Sequence, residues 1–78
     1  MVNVLQIRAA RSWLGLSQEE LADAAGVSRR TVIRMEKSEE PLSERIMEKL
    51  EKALERKGIE FLFEGSEGVG LRYRRDKK

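Results

Sequence analysis

The stretch Ser17 to Lys37, SQEELADAAGVSRRTVIRMEK, decides the fold, because it spells two short helices joined by a turn of three or four residues. Ser17 followed three residues on by Glu20 is a capping box, in which each side chain satisfies an orphan backbone N–H of the first turn. A helix is therefore predicted from Gln18 through LADAA. Gly26 stops it, since glycine most easily takes the left-handed conformation that closes a last turn, and Val27 can fold back as an apolar plug. Ser28 offers a second N-cap hydroxyl. The following RRTVIRMEK keeps helical spacing, with Val32 and Met35 on one side and Arg29, Arg30 and Arg34 largely on the other.

Taken together, Gln18, Leu21, Ala22, Gly26, Val27, Val32 and Met35 resemble the helix-turn-helix pattern of the phage repressor and Cro type. The preceding LGLSQEELA and the later RMEK are similar to the same family, often called the XRE family, and the resemblance covers roughly residues 3 to 57. It implies that Ala22 is the position where only a small side chain lets the two helices cross. It also implies that the second helix points its N-terminus into a DNA major groove, placing Ser28, Arg29 and Arg30 at base edges and Arg34 at an edge or a phosphate. Finally, the family pairs an arginine of the first helix with a glutamate at the end of the recognition helix, here Arg11 and Glu36. If that pair is partly buried, removing one partner strands the other charge at about 3 kcal/mol.

The residue chemistry agrees with that placement, because guanidinium donors match the O6 and N7 acceptors of guanine bidentately. Gln18 stands at the N-terminus of the first motif helix, where amide donors and the helix dipole suit a phosphate oxygen. Thr31 suits a thymine methyl or a phosphate.

Seventy-eight residues allow one small domain, whose core alone is marginally stabilising. The charged fraction is 38% but the net charge is only +2, so the distribution matters more than the balance. Residues 1–38 hold six Lys or Arg against four acids, residues 39–64 five against eight, and residues 65–78 five against two. Both ends therefore suit a polyanion and the middle suits water. With no cysteine there is no disulfide framework or thiolate metal site, and with no histidine the commonest general base and nitrogen ligand are missing. No nucleophile and base can be paired, so an enzyme is not expected. No apolar run spans a bilayer and the N-terminus lacks the pattern of a signal peptide, so the expected location is the cytoplasm.

Outward from the motif, Leu5, Ile7, Ala10, Trp13 and Leu14 form a broad helical stripe between Asn3 and Leu14, with Arg8, Arg11 and Ser12 off it. Trp13 is read as core or its rim rather than as a base-stacking platform. Gly15 ends this helix, and Leu16 takes the staple position before the Ser17 cap. On the other side Ser38, Glu39, Glu40 and Pro41 form a loop. Relatives commonly carry Gly and a basic or polar residue there, so two carboxylates predict a loop that bends away from DNA or weakens it. A fourth helix is expected from about Leu42 to Lys57, with Leu42, Ile46, Leu50, Ala53 and Leu54 inward. After Gly58 the period becomes 2: Ile59, Phe61 and Phe63 alternate with polar or outer residues, and beyond Gly65-Ser66-Glu67-Gly68 so do Val69, Leu71 and Tyr73. The basic end, Arg74, Arg75, Lys77 and Lys78, reads as a frayed terminus.

The expected architecture is mainly α. A four-helix repressor/Cro-like domain over residues 1–57, with its own core, precedes a short C-terminal hairpin or strand pair over residues 58–78. The expected function is sequence-specific binding of double-stranded DNA by a homodimeric repressor on a palindromic operator, paired through Ile59, Phe61, Phe63, Val69, Leu71 and Tyr73. A protein-binding antitoxin or anti-activator that keeps the same fold is the alternative, favoured by the near-neutral charge and the acidic loop. No cofactor, metal, small-molecule ligand or membrane is expected as a partner.

Overall fold

Each helix begins at a side chain that replaces a missing turn. In the computed structural model, which describes residues 1–74, Asn3, Ser17, Ser28 and Ser43 cap α1 (Val4–Leu14), α2 (Gln18–Ala25), α3 (Arg29–Ser38) and α4 (Glu44–Arg56). Every cap accepts from a backbone N–H three residues on, and Asn3 with Gln6 and Ser17 with Glu20 complete reciprocal boxes. Gly26 closes α2 at φ 73°. Its N–H donates to the Asp23 carbonyl at 3.3 Å and that of Val27 to the Ala22 carbonyl at 3.0 Å, the double closure of a left-handed cap. The chain ends in β1 (Ile59–Glu64) and β2 (Glu67–Tyr73), an antiparallel pair.

This is the mainly helical fold with a C-terminal strand pair that the sequence predicts, with four local differences. First, α4 starts at Glu44 instead of Leu42, because the Ser43 hydroxyl captures the N–H of Ile46 and leaves Pro41 and Leu42 in the loop. Second, the hairpin loop is only Gly65–Ser66, so Glu67 and Gly68 belong to β2. Val69 is the extra residue between the Leu62–Gly70 and Phe63–Gly68 pairs, a bulge. Third, α1 buries Val4, Gln6, Ile7 and Ala10, whereas Leu5 and Trp13 are 57% and 64% exposed. The apolar stripe of this helix is wide enough to allow either side, and packing selects the Val4–Ile7–Ala10 side. Fourth, the N–H of Arg74 donates to the Gly58 carbonyl at 2.7 Å, extending the ladder where fraying was expected. Arg75, Lys77 and Lys78 lie outside the described residues.

One core joins helices and strands. Ile7, Leu21, Val32, Met35, Met47, Leu50 and Leu54 are sealed from water, and Ile59 and Phe61 belong to the same cluster at 3% and 7% exposure. The expectation that residues 1–57 hold a separate core is corrected accordingly. Met47, absent from the expected inner set of α4, is fully buried. The clamp between the two parts is Gln6, whose Oε1 accepts from the Asn3 N–H at 3.0 Å while its Nε2 donates to the carbonyls of Leu62 and Gly70, each at 2.9 Å. Asn3 Nδ2 adds a bond to the Gly68 carbonyl at 3.1 Å. A Cβ on Gly68 would stand 1.9 Å from Gln6 Oε1, so only glycine admits this amide. Among the described residues no helix is long and apolar enough to cross a membrane.

Candidate nucleic-acid interface

The inward side of α3 holds Val32, Met35 and, unusually for a carboxylate, Glu36 at 6% exposure. A buried charge needs donors in place of water. Arg11 supplies two, Nε to Oε2 at 2.7 Å and Nη2 to Oε1 at 2.9 Å, and Gln18 Nε2 adds a third to Oε1 at 3.0 Å. Arg11 also donates through Nη1 to the Leu16 carbonyl at 2.9 Å. The network ties α1, the α1–α2 connection, the start of α2 and the end of α3 into one unit. Gln18, expected at a phosphate, thus has one amide N–H engaged by Glu36, which leaves its second N–H and its carbonyl oxygen.

The outward side begins at Ser28, whose oxygen accepts from the Thr31 N–H at 3.1 Å and shares a 2.7 Å bond with the Thr31 hydroxyl. These two side chains order the first turn from which Arg29 and Arg30 project. Arg29, Arg30 and Arg34 are all exposed, and among the described residues none of them forms an ion pair. Ala22, 1% exposed, sits in the packed α2–α3 corner, with Val27 against the core and Gly26 turning the chain between them.

Beyond α3 the backbone passes through a left-handed residue at Glu39, φ 59°, a conformation that costs a side chain about 1–3 kcal/mol. Arg8 holds it, with Nη2 on Glu39 Oε2 at 3.2 Å and Nη1 on the Glu36 carbonyl at 3.3 Å. Sequence reasoning missed this role of Arg8. The signal was its i,i+3 spacing from Arg11, which puts both guanidinium groups on one side of α1. Glu40 sits with Arg34, Lys37, Ser38, Pro41 and Leu42 around an open groove of about 560 Å³.

The six hairpin residues expected to face a second copy do not act together. Ile59 and Phe61 point into the core and Leu71 packs at its edge, whereas Phe63, Val69 and Tyr73 remain 39%, 51% and 43% exposed. The Tyr73 ring lies 6.3 Å from that of Trp13, tilted by 45°.

Comparison with known proteins points to the same motif. The helix-turn-helix family model matches residues 7–62. A protein of Methanothermobacter thermautotrophicus, described as an uncharacterized HTH-type transcriptional regulator, is 44% identical over 57 residues, 73% of this chain and 83% of its own length. With α2, its glycine turn and α3 in place inside the matched span, the chain belongs to the XRE-type helix-turn-helix family.

Proposed function

We propose that the protein is a sequence-specific, double-stranded DNA-binding transcriptional regulator that acts as a homodimeric repressor. The observation that carries this reading is the outer face of α3, where three exposed arginines have no acidic partner among the described residues while Arg8 and Arg11, on the other side, are both paired. Guanidinium groups on the first turn of such a helix meet the acceptors of guanine in the major groove, and Arg34 follows one turn later. Thr31 and the second amide N–H of Gln18 serve as phosphate contacts beside them. Pairing two copies on a roughly palindromic operator lengthens the site that one helix reads. Occupation of a promoter by such a dimer is enough to block access to it.

The test is selection of binding sites from a pool of random duplexes, followed by footprinting of the selected sequence. The expected result is an enriched, two-fold symmetric site with half-sites about 34 Å apart, one helical turn. A pool that stays random after repeated selection would overturn specific recognition and leave the protein-holding role.

A further inference from the structure

A second face of α1 is left unused by DNA recognition. Leu5, Ala9 and Trp13 follow each other at i, i+4 and i+8, so they stand one above another on the solvent side of the helix. Tyr73 from β2 closes the stripe at the Trp13 end. Two of the four aromatic residues of the chain are thus exposed on one face beside an exposed leucine. Aromatic side chains gathered in water in this way mark interaction surfaces.

We propose that this face is where two copies of the chain meet, with α1 antiparallel to α1 of the second copy about a twofold axis through Ala9. The proposal rests on the reading of the protein as a DNA-binding dimer and names its contact. An isologous contact must be complementary to itself. Reversing the helix about Ala9 sets Leu5 opposite Trp13 and Trp13 opposite Leu5, while the small Ala9 lets the axes approach to about 8–10 Å. Residues near a twofold axis face their own copies, so a charge there would repel itself. In a chain that is 38% charged, Leu5, Ala9, Ser12 and Trp13 carry none, and the charge of Arg8 beside them is met by Glu39 at 3.2 Å.

Direction also fits. Arg8, about 100° round the helix from Ala9, reaches the end of α3 at Glu36 and Glu39. A twofold axis perpendicular to α1 and lying in the contact plane runs toward that side, so the two α3 helices turn the same way, as a single duplex requires. A stable interface takes about 800 Å² from each partner, and Tyr73 with the neighbouring part of β2 extends the stripe toward that size.

The chain has no cysteine and one tryptophan, which makes the contact directly testable. Ala9→Cys puts a single thiol beside the axis at an exposed helical position, and a disulfide forms only when the two Cα atoms come within about 7 Å. Mild oxidation should convert Ala9→Cys protein to a covalent dimer that still binds the selected DNA, whereas Val69→Cys protein should stay uncrosslinked. In the unmodified protein, Trp13 emission should shift to the blue as concentration rises through the sedimentation transition. Crosslinking of Val69→Cys but not Ala9→Cys, or a dimer whose Trp13 emission stays that of an exposed indole, would place the interface elsewhere and leave the dimeric reading intact. A wild-type protein that sediments as a monomer free and on DNA would overturn both.

Discussion

Arg11 of α1 and Arg30 of α3 carry the same guanidinium within one small fold, on opposite sides of α3, and meet opposite fates. Arg11 is held by both oxygens of a carboxylate that is 6% exposed, whereas Arg30 stands in water with no acidic partner among the described residues. The contrast teaches that composition does not separate structural from recognition arginines; what lies opposite each one does. A desolvated pair fixes the fold, and its loss is felt as stability. An exposed unpaired cation contributes little to stability, so its loss should be felt by a partner.

The strongest challenge to this contrast is Glu36→Ala, which leaves Arg11 and Gln18 without their acceptor. Urea titration should show a loss of about 3 kcal/mol, and a loss well under 1 kcal/mol would mean that the pair behaves as a solvated one. Next comes Gly68→Ala, whose methyl displaces the Gln6 amide from Asn3, Leu62 and Gly70. We expect about 1–3 kcal/mol together with faster hydrogen exchange in the hairpin; unchanged exchange would show that α1 does not hold the strands.

Gly26→Val weighs backbone strain above packing, because nothing lies within 4 Å of a Cβ at that position while φ 73° disfavours any side chain there. Its cost should be about 1–2 kcal/mol, and an unaltered melting temperature would mean that the turn relaxes freely. The smallest effect concerns Glu51, whose carboxyl is pushed up by burial and then by the nearby Glu55 carboxylate. A raised folded value favours the protonated form, so stability is greatest below the ordinary carboxylate pKa of about 4.3 and declines as pH rises through the folded value. Glu51→Gln should therefore raise the melting temperature slightly at neutral pH, with the gain shrinking as pH falls toward 4; a gain independent of pH would contradict this.

What the sequence made legible was what local rules control. Ser17 with Glu20, Gly26 and Ser28 fix the helix-turn-helix within a few residues of themselves, and the change from period 3.6 to 2 marks the strands. What stayed hidden depended on distant partners. Gln6 reads as a polar residue on α1 until Gly68 and Gly70 from the other end of the chain meet it. Leu5 and Val4 are equally apolar neighbours, and only the shared core with Ile59 and Phe61 turns Val4 inward. The paired state of Arg8 depends on a left-handed Glu39 where glycine would be the usual choice.

The measurement closest to the central claim is a binding titration of wild-type and Arg30→Ala protein on the selected site and on a random duplex, with thermal melting alongside. The account predicts a loss of about 1–3 kcal/mol on the selected site, a much smaller loss on random DNA, and an unchanged melting temperature. Equal losses on both duplexes, or a protein that melts early without losing specificity, would contradict it.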